Sequence, residues 1–94
     1  KLLDFRFDGW GNKFESSLDN KINSQLYKSG FFADCEYENI DFTLEGGSIE
    51  SDGNDTILTT SKCLCNINRN GGLSKNEVEK ILAKYLGTTR VLWL

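Results

Sequence analysis

The 94 residues carry 11 lysines and arginines against 14 aspartates and glutamates, a formal net charge of −3, and no histidine. That length makes one small domain or a piece of a larger one, and 38% hydrophobic residues are enough for a modest core. The acidic balance, with no basic stripe, speaks against nucleic-acid partners. No apolar run approaches membrane-spanning length or forms a secretory h-region, so no membrane partner is expected either.

In chain order, Lys1 to Phe7 has strand composition, with Leu3, Phe5 and Phe7 alternating against Asp4 and Arg6. Gly9-Trp10-Gly11-Asn12 breaks it, and a Trp between two glycines either plugs a core under a loop or walls a cavity. The packing role is the commoner of the two. From Phe14 to Ser29 the period changes. Phe14, Leu18, Ile22 and Leu26 recur every fourth residue, which predicts an amphipathic helix closed by Gly30 at C′.

A polar link leads into a strand at Ile40 to Leu44. Apolar residues then alternate around the turn-formers Ser51-Asp52-Gly53-Asn54-Asp55, predicting a hairpin with its tip near Asp52 to Asn54 and its second arm at Thr56 to Thr60. Ser61 to Asn66 fits either an extended strand or a short helical turn, and Asn66 to Gly72 reads as loop. Ser74 and Glu77 make a capping box, with Leu73 and Val78 as its hydrophobic staple. They start a helix that presents Val78, Ile81, Leu82 and Tyr85 on one face and stops at Gly87. Arg90 to Leu94 reads as a buried strand. The order β-α-β-β-α-β predicts an α/β fold with helices packed on a sheet, and the hairpin makes that sheet mixed.

Cys35, Cys63 and Cys65 are odd in number and, without a secretory signal, fit free thiols in a reducing, cytoplasmic compartment. Cys63-Leu64-Cys65 has no second pair and no histidine beside it, so no metal centre is expected there, and no cysteine has a histidine to activate it. Asn66, Asn68, Asn70, Gly71, Leu73 and Glu77 occupy EF-hand positions 1, 3, 5, 6, 8 and 12. Three of these four side-chain ligands are neutral amides, however, and no amphipathic helix enters the segment. A non-catalytic α/β binding or structural module with a weak calcium loop at Asn66–Glu77 is the alternative to the enzyme reading that follows.

Glu45, at the end of an apolar run and followed by Gly46-Gly47, is the candidate functional carboxylate. Two glycines there let other groups approach the backbone closely. Alone the pattern is weak. The whole run LEGGSIESDGNDTILTTSKCLCNINRN, then LSKNEVEKILAKYLGTTRVLWL, resembles the agmatine deiminase and Porphyromonas-type peptidyl-arginine deiminase family. The shared pattern is Glu-Gly-Gly, Asp-Gly, a Thr-Thr pair, Cys-Leu, Asn-Arg-Asn, Leu-Ser-Lys, Tyr-Leu-Gly and a closing Trp-Leu, in that order. FRFDGWGNKF at Phe5 to Phe14 is similar to the same family's Arg-Phe-Asn-x-Trp-Gly-x-Lys segment, with Asp8 in place of the usual Asn.

The resemblance implies a pentein fold, with αβ modules around a pseudo-fivefold axis. It also implies hydrolysis of a guanidinium to a ureido group and ammonia without metal or cofactor. In that chemistry a cysteine thiolate attacks the guanidinium carbon, a histidine shuttles protons, and water cleaves the thiouronium intermediate. Glu45 falls on the family glutamate that faces the site, with Gly46 and Gly47 turning the chain away from it. Asp8, Trp10 and Arg69 match family positions and are candidate substrate-binding residues. Cys35, Cys63 and Cys65 do not match the nucleophile. The chain opens on Lys1 and holds no methionine, so it is read as an internal segment, inactive alone. The family's Trp-x-Arg-Asp segment is expected upstream, and its Gly-His-x-Asp segment and nucleophile downstream. Its expected partners are the remainder of its own catalytic domain and either agmatine or peptidyl arginine.

Overall fold

Strand β1 (Leu2–Arg6) pairs in parallel with β2 (Tyr37–Thr43). A computed structural model describes all 94 residues, Lys1–Leu94. A second, three-stranded sheet holds β3 (Ile49–Ser51), β4 (Thr56–Thr59) and β5 (Arg90–Trp93) in the order β3-β4-β5. Its first pair is antiparallel and its second parallel, so that sheet is mixed, as the hairpin predicts.

There are five strands, one more than the order read from sequence. The turn Gly46–Ser48 ends β2 and begins the hairpin's first arm in a different sheet. Apolar alternation marks strands but does not say which sheet each joins. The hairpin tip lies where predicted. Asp52 accepts the backbone N–H of Asn54 at 2.9 Å and of Thr56 at 3.1 Å, and Gly53 has φ 75°.

The helix expected over Phe14 to Ser29 is shorter. A 3-10 turn at Asp19–Lys21 leads into α2 (Ile22–Lys28), and Phe14 and Leu18 are exposed. The cause is local. Phe7 N–H donates to Asn20 Oδ1 at 2.8 Å, the Asn20 amide donates back to the Phe7 carbonyl, and Ser16 Oγ joins the same carbonyl at 3.2 Å. Side chains that bond backbone in this way compete with the helical ladder. The C-terminal prediction holds: Gly30 has φ 86°, and Phe31 N–H reaches the Leu26 carbonyl at 3.1 Å, as a C′ glycine permits.

Between β4 and β5 the chain forms three helices. The segment left open at Ser61 is α3 (Ser61–Leu64), capped by Thr60, whose hydroxyl accepts from Cys63 N–H. The segment read as loop contains α4 (Ile67–Asn70), capped by Asn66. Helix α5 (Lys75–Leu86) begins with the predicted capping box, Ser74 and Glu77 each accepting from the other's backbone N–H, and ends at Gly87 with φ 71°. Val78 and Leu82 of α5, Leu64 of α3, and Ile40 and Phe42 of β2 form the buried core. Leu3 and Phe5 of β1 and Val91 and Trp93 of β5 pack around it, so one cluster joins both sheets. The longest helix has 12 residues, and none is long and apolar enough to cross a membrane.

Candidate functional site

The site is assembled where β1 and β2 end. After β1, Gly9, Trp10, Gly11 and Asn12 all have positive φ, at 68, 61, 80 and 65°. They wind one left-handed turn, α1 (Gly9–Asn12), closed by Asn12 N–H to the Asp8 carbonyl at 2.8 Å and Lys13 N–H to the Gly9 carbonyl at 3.1 Å. Such backbone costs about 1–2 kcal/mol at each non-glycine residue, less where Asn bonds locally. The two glycines keep that sum small.

Strain held in this way marks a segment that its surroundings over-determine. Those surroundings are two carboxylates facing the free N–H groups of the turn. Trp10 N–H donates to Glu45 Oε1 at 3.2 Å, and Gly11 N–H to Asp8 Oδ1 at 2.9 Å.

After β2, Glu45 is held from the other side by Arg69. Arg69 Nη2 donates to Glu45 Oε2 at 3.1 Å, Nη1 donates to the Cys63 carbonyl at 3.1 Å, and Nε lies 3.8 Å from Asp8 Oδ1. The three side chains are 11% (Arg69), 10% (Asp8) and 9% (Glu45) exposed. Asn70 puts Arg69 there. Its amide accepts Thr43 N–H at 2.7 Å and donates to the Thr43 carbonyl at 3.0 Å. It thereby stands in for a strand partner two residues before Glu45. Asn20 does the same for Phe7 beyond the end of β1.

Burial pushes the Glu45 carboxyl above its ordinary value, and a side-chain hydrogen bond with Asp8 adds to the rise, while the Arg69 charge opposes both. An open groove of roughly 590 Å³ lies alongside, lined by Trp10, Lys13, Thr60, Cys63, Asn66 and Arg69 among others.

All four sequence candidates therefore meet in one place. Trp10 is not a core plug: it is 54% exposed and walls the groove, its ring edge-on to those of Phe7 and Phe14. Gly46 and Gly47 lie in the turn expected of them, but the close backbone approach expected there is not found. Neither has positive φ, and a Cβ on either would meet nothing within 4 Å. Ser48 N–H and Oγ both donate to the Glu45 carbonyl, at 2.9 and 2.6 Å, and make that turn.

Asn70 was singled out from sequence only as a calcium-loop position, and the Cys63 carbonyl not at all. The Asn-Arg-Asn pattern was a signal for the first, but its partner lies 27 residues away. The EF-hand side chains are engaged elsewhere: Asn66 caps α4, Asn70 pairs with Thr43, and Glu77 caps α5.

The fold of the chain has known counterparts. The chain superposes on a C. jejuni agmatine deiminase solved with substrate bound, with a TM-score of 0.89 and 47% identity, over 100% of this chain and 28% of that one. The Enterococcus faecalis agmatine deiminase gives 0.81 at 36% identity, over 98% of this chain and 26% of its own. Among curated relatives, one from Legionella pneumophila is 42% identical over 93 residues, 98% of this chain. The chain spans 26% of that relative's length. The sequence pattern of one family matches residues 1–94 from end to end. The chain belongs to the Porphyromonas-type peptidyl-arginine deiminase family.

Proposed function

We propose that the complete protein is a cytoplasmic guanidine hydrolase of the agmatine deiminase type, and that Glu45 is a working carboxylate of its site. The observation that carries this reading is the Glu45 carboxylate itself. It is nearly buried at a strand end and fixed by Trp10 N–H and Arg69, two residues that line an open groove. Two proteins named as agmatine deiminases share the fold of this segment, which supports the reading.

The chemistry follows from the donor set. A guanidinium is planar and offers N–H groups in a fork, which a preoriented carboxylate holds by charge-assisted hydrogen bonds. Each Glu45 oxygen already accepts one protein N–H and keeps further acceptor capacity for a substrate nitrogen or a histidine N–H. Trp10 supplies an apolar wall for the substrate, with Arg69 lining the same groove and Asp8 beside Arg69.

The cysteine thiolate that attacks the guanidinium carbon and the histidine that moves protons come from the rest of the protein, as does the first guanidinium-binding aspartate. Holding the guanidinium in one orientation toward that thiolate is the part this segment plays. The two sheets are read as part of a pentein-type propeller, which brings the groove to the substrate axis.

The experiment is a product assay on the complete protein with agmatine and with a peptide bearing arginine. Release of ammonia with formation of a ureido product from agmatine is expected. Turnover of the peptide alone would move the substrate assignment to peptidyl arginine, and turnover of neither would end the deiminase reading.

A further inference from the structure

Asp4, on β1, is the most buried acid of the chain, 6% exposed. Its oxygens accept from two neutral groups. Asn23 Nδ2 of α2 reaches Oδ1 at 2.8 Å, and the Tyr37 hydroxyl of β2 reaches Oδ2. The hydrogen bond to Asp4, and then burial, push the Tyr37 phenol above its ordinary value, so it stays a donor. No cation balances the Asp4 charge. The ion pairs of the chain join Lys1 to Glu38, Arg6 to Asp41, and Arg69 to Asp8 and Glu45. A buried charge is ordinarily paired, because it has given up its hydration. Two neutral donors offset part of that loss and use about half of a carboxylate's acceptor capacity.

A cavity of about 110 Å³ opens beside these groups, lined by Leu2, Leu3, Asp4, Asn23, Phe32 and Tyr37. No lysine or arginine lines it, and it shares no lining residue with the groove beside Arg69. We propose that this cavity binds a small primary alkylammonium ion. Its N–H groups bond Asp4 and the Asn23 amide oxygen, which is left over once the Asn23 NH2 serves Asp4. Its alkyl part lies among Leu2, Leu3 and the rings of Phe32 and Tyr37.

The lining decides the class of ligand. Calcium takes about 6–8 oxygen ligands, whereas Asp4, Asn23 and Tyr37 are the only oxygen-bearing side chains here. An ammonium ion needs one carboxylate, tolerates apolar walls and is attracted to aromatic faces. The site also ties α2 to the β1–β2 sheet, through Asn23 and through Tyr27, whose ring stacks on Tyr37 at 4.7 Å between centroids. Binding there therefore registers as thermal stability.

The test is a melting series on the complete protein with methylammonium chloride, against sodium and tetramethylammonium chlorides at equal ionic strength. Methylammonium at on the order of 20 mM should raise the melting temperature by about 1–3 °C above the sodium control. Tetramethylammonium has no N–H for Asp4 and should give a smaller rise. Asp4→Asn keeps the shape and an acceptor for the Tyr37 hydroxyl, and it should abolish the methylammonium effect. Phe32→Leu keeps an apolar wall without the ring, so the concentration giving half the rise should increase about threefold to fivefold.

An equal rise with sodium, or a rise that persists in Asp4→Asn, would overturn the proposal. If Asp4→Asn does not fold, an unchanged midpoint in Phe32→Leu would overturn it instead. No rise in the parent, with Asp4→Asn still destabilised, would mean that a basic side chain of the complete protein fills the cavity, and would overturn it as well. None of these readouts uses turnover, so the result stands apart from the deiminase reading.

Discussion

Arg69→Met should destabilise the complete protein by about 3–5 kcal/mol, the cost of removing one partner from a buried ion pair. The guanidinium bonds Glu45 and the Cys63 carbonyl and stands beside Asp8, with 11% of its side chain exposed. Without it, two nearly buried carboxylates lose their shared cation and the β2 end loses its tie to α3. Methionine keeps much of the volume, so the loss reports charge and hydrogen bonds more than a cavity.

Arg69→Lys should recover little, because one ammonium cannot reproduce the fork that reaches Glu45 and the Cys63 carbonyl together. Adding Asp8→Asn and Glu45→Gln to Arg69→Met should restore part of the stability, since groups in one network couple. Urea unfolding measures all four. A loss below about 1 kcal/mol for Arg69→Met would mean the cluster behaves like a solvent-screened surface pair.

Gly9→Ala should cost at least about 3 kcal/mol and take activity with it. A Cβ there would stand 2.1 Å from the Phe14 carbonyl oxygen and 2.9 Å from its carbon. That backbone cannot step aside freely, because Phe14 N–H donates to the Gly9 carbonyl at 3.2 Å. The turn would have to open, withdrawing Trp10 N–H from Glu45. Gly11→Ala is the control. Its φ of 80° is equally unfavourable for a side chain, but nothing lies within 4 Å, so only about 1–2 kcal/mol is expected. Equal losses at the two positions would contradict this account of the turn.

Local signals in the sequence were reliable where one short stretch settles the matter. The Ser74–Glu77 capping box, the Gly30 and Gly87 helix ends and the hairpin tip at Asp52 each depend on neighbours within a few residues. The reading failed where a polar side chain reaches across the fold. Phe14 to Ile22 has helical spacing, yet Asn20 spends its amide on Phe7 and shortens the helix. The assignment of β2 and β3 to separate sheets depends on which strands they meet, and period-2 alternation carries no such information.

The candidate site was legible for a different reason. Glu45 and Trp10 were marked weakly by their glycine neighbours, whereas Asp8 and Arg69 were named only through the family resemblance. The fold brings them together through contacts distant in sequence, Trp10 with Glu45 and Asp8 with Arg69 among them. What the pattern could not say is that Arg69 stands between Glu45 and Asp8, since side-chain direction follows from the left-handed turn and the Asn70–Thr43 pairing.

The most direct measurement is kcat/KM for agmatine in the complete protein, wild type against Glu45→Gln. Glutamine keeps the size, removes the charge and turns an NH2 toward Trp10 N–H or Arg69, both of which are donors. A charge-assisted hydrogen bond is worth about 1.5–3 kcal/mol, so kcat/KM should fall by at least about tenfold. The melting temperature should hold or rise near neutral pH, because a carboxyl raised by burial and by Asp8 costs stability once it ionises. A folded Glu45→Gln protein with near-normal kcat/KM would contradict the assignment of Glu45 as the carboxylate that orients the guanidinium.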